Sequence, residues 1–167
     1  MIGLTHKCLL ATLSLSTLVT SNDLKSELVE GTYKYDTVNG KFTSYLRELG
    51  VGWLLRNLAS YARPEVSISK SCAANTPCKW TIATDTMFKD HSVTFALGRP
   101  VMDTTMDGRR VESTFELTSN NQLTERQRNV GQSEVTTTLV RDFTPTEMKV
   151  RMTAGSVTAL GTFKRRV

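Results

Sequence analysis

Two short amphipathic patterns stand back to back between Phe42 and Pro64, and nearly everything after them alternates at strand period. Phe42, Tyr45, Leu46 and Leu49 fall at i, i+3, i+4 and i+7, which lays one apolar stripe along a helix. Gly50-Val51-Gly52 interrupts it, and Trp53, Leu54, Leu55, Leu58 and Tyr61 form a second stripe that ends at Pro64. A helical pair set against a chain of strands suggests a barrel with a lid.

The turn chemistry supports that arrangement. Asn39-Gly40 precedes the helices, and Gly98-Arg99-Pro100, Asp107-Gly108, Asn120-Asn121, Gly131, Thr144-Pro145 and Ala154-Gly155 follow at roughly ten-residue intervals. Between them run alternating segments such as Val93, Phe95, Leu97, then Val111, Ser113, Phe115, Leu117, and later Met148, Val150, Met152. The spacing predicts ten strands, one before the helices and nine after, in an all-β antiparallel up-and-down meander. Closure into a barrel removes exposed edges and leaves an interior wide enough for one ligand. Val135-Thr136-Thr137-Thr138-Leu139 has no clean apolar face, so two readings stand: a wet outer face over a dry core, or a cavity mixing apolar walls with polar groups.

At 167 residues the chain has room for one domain. A net charge of +5 would suit an anionic partner, but Lys and Arg are interspersed with Asp and Glu. No nucleic-acid-binding signature appears, so no nucleic-acid partner is expected. Residues 1–21 read as a secretory signal peptide, with Lys7 ahead of an apolar stretch from Cys8 to Val19 and small residues at Thr20-Ser21; a buried N-terminal helix is the alternative. Residues 22–30 would then form an N-terminal extension and 31–167 the barrel domain. Without Cys8, Cys72 and Cys78 remain as a pair flanking Ala73-Ala74-Asn75-Thr76-Pro77, where a disulfide across a hairpin is expected. A metal or redox pair is the weaker reading, because His91 is the sole histidine left beyond the leader. Localisation is therefore expected to be extracellular.

From about Gly31 to the C-terminus the chain resembles the fatty acid-binding protein family, the intracellular lipid-binding proteins. The resemblance lies in the Phe42–Pro64 run, with Tyr45-Leu46-Arg47-Glu48-Leu49-Gly50-Val51-Gly52 at its centre. It continues in order through Phe88-Lys89, Phe95-Ala96-Leu97-Gly98 and Thr104-Thr105-Met106-Asp107-Gly108-Arg109. It implies a ten-stranded lipocalin-like (calycin) barrel with a two-helix lid, monomeric, holding a fatty acid or other small lipid without any cofactor. The leader and the Cys72/Cys78 pair depart from the family's usual cytosolic members and resemble a secreted, nematode-type branch.

The same resemblance implies site residues. Phe42, Tyr45, Leu46, Val51, Leu55 and Leu58 would line the lid's inner side, with Phe88 and Met106 on the facing turns; each is also an ordinary core residue. Arg128, in the strand from Leu123 to Asn129, would be the head-group cation, although Arg126 shares its parity and a surface placement is the alternative. Many relatives end in an Arg-x-Tyr pair that holds a carboxylate, whereas here Gly161-Thr162-Phe163 stands in its place. Arg165 shares that parity and is the substitute candidate at the rim. Either Arg128 works with water alone, or the head group points elsewhere, or the ligand is less acidic. Lys41, Arg47, Arg56 and Arg63 would face anionic membranes during ligand transfer, or simply form a solvated helix surface.

No nucleophile elbow, phosphate loop or metal-ligand cluster is present, and Asp90-His91-Ser92 cannot align for proton relay by adjacency. The expectation is a non-enzymatic secreted carrier of fatty acids or similar ligands. A retinoid carrier and an extracellular structural barrel with a filled core are the alternatives.

Overall fold

Every strand pairs antiparallel with its neighbour in sequence except at one place. In the computed structural model, which describes residues 27–74, 76–119, 121–131 and 135–166, the strands are β1 (Gly31–Val38), β2 (Glu65–Ser71), β3 (Lys79–Asp85), β4 (His91–Phe95), β5 (Val101–Thr104), β6 (Arg110–Ser119), β7 (Gln122–Asn129), β8 (Thr137–Phe143), β9 (Glu147–Ala154) and β10 (Val157–Arg165). Their order in the sheet is β4-β3-β2-β1-β10-β9-β8-β7-β6-β5. First and last strands are thus hydrogen-bonded through Tyr33↔Arg165 to Val38↔Gly161. The discontinuity falls between β4 and β5, where His91 Nε2 lies 3.0 Å from Asp103 Oδ1 across the opening. The expected leader, residues 1–21, lies outside the described residues.

Helices α1 (Phe42–Glu48) and α2 (Trp53–Tyr61) are inserted between β1 and β2. The α1 stripe buries Tyr45 and Leu46. Its end is fixed by the Gly50 N–H donating to the Arg47 carbonyl (2.9 Å) and the Val51 N–H to that of Leu46 (3.0 Å), a Schellman arrangement. That closure needs Gly50 at φ +75°, a value disfavoured for residues with a Cβ. The turn drops Val51 beside Leu46 and Leu49, against Ala154 and Ala159 of the barrel.

Inward-facing side chains form two separate clusters. The larger closes the end of the barrel away from the helices and contains Val29, Tyr33, Trp80, Phe95, Phe115 and Phe143, with Leu123 and Met148 among their neighbours. Tyr33 meets Phe143 at 5.6 Å between ring centroids, and Phe95 stacks on Phe115. The Tyr33 hydroxyl donates to the carbonyls of Leu28 (2.8 Å) and Val29 (3.1 Å), which pulls the segment before β1 under the barrel. Burial raises the Tyr33 pKa, and the nearby Arg165 charge opposes that rise. The smaller cluster is the one beneath α1. On the β2–β3 hairpin, Cys72 and Cys78 are joined in a disulfide across the short turn.

Phe143 is fully buried and packs against the Tyr33 ring in the larger cluster. Phe143→Ala is expected to lower stability by about 3–5 kcal/mol, whereas Leu160→Ala, on a strand position facing water, is expected to change it by no more than about 0.5 kcal/mol. Urea midpoints of the two variants measure the contrast.

Candidate functional site

Between the two clusters lies a cavity of about 500 Å³. Its lid wall is made by Phe42, Tyr45 and Leu46 of α1, Val51 of the turn, and Leu55 and Leu58 of α2. Phe88, on the β3–β4 turn, and Met106, on the β5–β6 turn, border it at the opening, and Phe163 of β10 forms part of the far wall. The structure brings all of these predicted residues around one space. The lid is asymmetric: α1 is anchored by Tyr45 and Leu46, while α2 buries no residue and leaves Trp53 69% and Leu54 62% exposed.

The four basic residues assigned to the lid divide in the structure. Lys41 and Arg47 are exposed. Arg56 turns back to donate to the Val51 carbonyl at 2.5 Å, so it pins the inter-helix turn. Arg63 is exposed but stacks over the Tyr35 ring at 4.8 Å.

Polar side chains enter the cavity in balanced pairs. Arg141 of β8 donates from Nη2 to Glu125 Oε2 of β7 at 2.8 Å, and Gln127 Nε2 donates to Glu125 Oε1 at 2.6 Å. Register explains the contact: Glu125 lies opposite Leu139, so Arg141 is its diagonal neighbour on the same face. Arg109 Nε donates to Asp107 Oδ2 at 2.7 Å, and its Nη1 reaches Asn129 (3.2 Å) and Thr137 (3.4 Å). The turn that carries this pair is tied by Thr105, whose hydroxyl donates to Asp107 and receives the Arg109 N–H. His91 and Asp103 form the third pair. Two buried polar atoms lack a partner among the described residues, Arg141 Nη1 and Ser113 Oγ, and of the two residues Arg141 borders the cavity. The Tyr45 phenol faces this group; burial is the main cause that pushes its pKa far above the ordinary value, with the Arg109 and Arg141 charges opposing the rise and those of Asp107 and Glu125 adding to it.

Two expected head-group residues lie elsewhere. Arg128 is 67% exposed and donates from Nη2 to Glu112 at 2.9 Å on the outer face. Arg126 shares that face, paired with Glu116 at 2.5 Å. The parity of β7 therefore points Leu123, Glu125 and Gln127 inward, and Arg126 and Arg128 pair outside with Glu116 and Glu112 of β6. Arg165 sits beyond the closed end, not in the cavity: its guanidinium donates to the carbonyls of Leu28 (2.9 Å) and Glu30 and to the Tyr33 hydroxyl (3.0 Å). It fastens the segment before β1. Gly161 brings no side chain to the cavity, and a Cβ there would sit in ordinary contact with the Phe163 ring, at 3.4 Å.

Arg141, Glu125, Gln127 and Arg109 are the interior groups that sequence reasoning missed. A signal for Arg141 existed, because Thr137, Leu139, Arg141 and Phe143 share one parity and three of the four are buried. An arginine in register with Leu139 and Phe143 is an inward candidate on β8.

A nearly closed meander with an apolar hollow, a helical lid and a few paired polar groups inside is the architecture of a ligand-enclosing β-barrel. No family model matches the chain. It is 33% identical over 124 residues to the 14 kDa fatty acid-binding protein of Schistosoma mansoni, covering 74% of this chain and 87% of that protein. It is 30% identical over 138 residues to the fatty acid-binding protein of Tyrophagus putrescentiae, covering 83% and 98%. The chain belongs to the fatty acid-binding protein family. Among solved structures, the Schistosoma mansoni protein in complex with arachidonic acid superposes with a TM-score of 0.74 at 31% identity, over 83% of this chain and 96% of that one. The fatty acid-binding protein from Drosophila melanogaster brain tissue gives 0.69 at 32% identity, over 80% and 95%.

The Arg141–Glu125 pair makes a stability test. Arg141→Leu leaves Glu125 buried without its cation and is expected to cost about 3–5 kcal/mol, while Arg141→Leu combined with Glu125→Leu is expected to recover most of that loss. Denaturant unfolding of the two singles and the double gives the coupling. A second expectation concerns alkali. Tyr33 and Tyr45 keep raised pKa values in the folded chain, so their contribution is complete below the unfolded tyrosine value and declines as pH rises above about 10. The urea midpoint is expected to hold up to about pH 10 and to fall as pH rises further, and to fall less in Tyr45→Phe.

Proposed function

We propose that the protein is a secreted carrier that encloses one fatty acid or similar long-chain ligand and exchanges it at membranes. The observation that carries this reading is the apolar cavity of about 500 Å³ between the closed end and the lid, within the range of small-molecule sites. Transfer of roughly a dozen methylenes from water into such walls yields about 10 kcal/mol before ordering costs, the largest favourable contribution to binding. A structural barrel with a filled core would not keep that space. The names of the relatives, and the arachidonic acid in one of them, support the same ligand class.

Secretion is supported by the leader pattern in residues 1–21 and by the Cys72–Cys78 disulfide, a bond suited to oxidising compartments. Exchange through the α2 side is supported by the loose seating of that helix. Trp53, Leu54 and Tyr61 present an exposed apolar edge, and Lys41 and Arg47 stand exposed on the neighbouring α1 side of the lid. An apolar edge near cations is the combination that attaches a helix to an anionic bilayer.

Titration of delipidated protein with a fluorescent fatty probe is expected to saturate at one probe per chain, with a Kd of about 1 μM or lower, and a long-chain lipid is expected to displace it. Absence of saturable binding by any long-chain ligand would contradict the carrier reading.

A further inference from the structure

We infer that the polar site inside the cavity accepts an uncharged oxygen, as in a fatty alcohol, amide or ester, in preference to a carboxylate; this rests on the carrier reading above. The place that a ligand carboxylate would take is already occupied by the protein's own. Glu125 is buried, and each of its oxygens is engaged, Oε2 by Arg141 Nη2 at 2.8 Å and Oε1 by Gln127 Nε2 at 2.6 Å. The interior guanidinium is therefore neutralised before any ligand arrives.

The other cations offer no replacement. Arg109 is held by Asp107 at 2.7 Å and shares its remaining contacts with Asn129 and Thr137. His91 faces Asp103 at 3.0 Å. Lys89 is an exposed residue at the mouth, with Nζ on the Met106 carbonyl. On β10 the positions facing the cavity are Gly161 and Phe163, which have no charge. A carboxylate brought to Arg141 would add a second negative charge beside Glu125 with one guanidinium to share, and like charges brought together inside a low-dielectric site oppose binding.

What remains unfilled is a donor. Arg141 Nη1 is buried and lacks a partner among the described residues, and Arg141 borders the cavity. One N–H donor group suits one neutral acceptor, either a hydroxyl or a carbonyl oxygen, with no change in the net charge of the pocket. Glu125 would thus set head-group specificity by charge, as a residue that excludes rather than attracts.

Affinities of oleate, oleyl alcohol and oleamide for the delipidated wild type and for Glu125→Gln at neutral pH test this. The substitution keeps the shape of the side chain and removes its charge. Oleate is expected to bind Glu125→Gln about tenfold or more tighter than wild type, with the alcohol and amide changing by less than about threefold. Equal effects on all three ligands, or weaker oleate binding in the variant, would overturn the assignment while leaving the carrier reading intact. If no ligand binds the wild type, both fall. Should the variant not fold, the wild-type ratio decides: oleamide at least as tight as oleate supports the assignment, and oleate about tenfold tighter overturns it.

Discussion

The pairing of β1 with β10 is the contact on which the rest of the molecule depends. A meander of ten strands is wide, and closing it forces the inner faces to look at one another across more space than their side chains can span. The chain meets this constraint by dividing its apolar residues. Aromatic rings and the segment tied down by Arg165 fill one end, and α1 with the Gly50 turn fills the other. The hollow between them is a consequence of barrel size, not of any missing side chain.

Once the hollow exists, its polar content becomes expensive unless each group is matched. The interior answers with pairs: Arg141 with Glu125, Arg109 with Asp107, His91 with Asp103. These pairs keep the pocket near electrical balance and fix the side chains that a ligand head group would meet. Access is governed by a different asymmetry. The first helix is seated on Ala154 and Ala159, whereas the second buries nothing fully, and between β4 and β5 a His91–Asp103 side-chain contact stands in place of a strand ladder.

Much of this was legible in the sequence, and the reasons differ by level. Helix stripes and turn residues are local signals, so both helices and the ten-strand count follow from spacing alone. The Cys72–Cys78 pair was legible because a short hairpin leaves its flanking residues opposite each other. The direction in which β7 faces was not. Arg126 and Arg128 share a parity with nothing in the strand itself to say which face is wet, and the answer lies in Glu112 and Glu116 on β6, which draw both outward. Likewise Glu125 and Arg141 are sixteen positions apart and meet only through the β7–β8 register. The loss of the Arg-x-Tyr pattern at Gly161-Thr162-Phe163 was visible, but its meaning depends on a partner strand.

The most direct test of a hollow, ligand-holding interior is a crystal structure of the protein with a long-chain ligand brominated at its far end, read in the bromine anomalous difference map. A single strong peak between Phe163, Leu55 and Val51, inside the walls, is the result expected of this account. Bromine density only on the outer surface, with interior side chains closed onto one another, would contradict it.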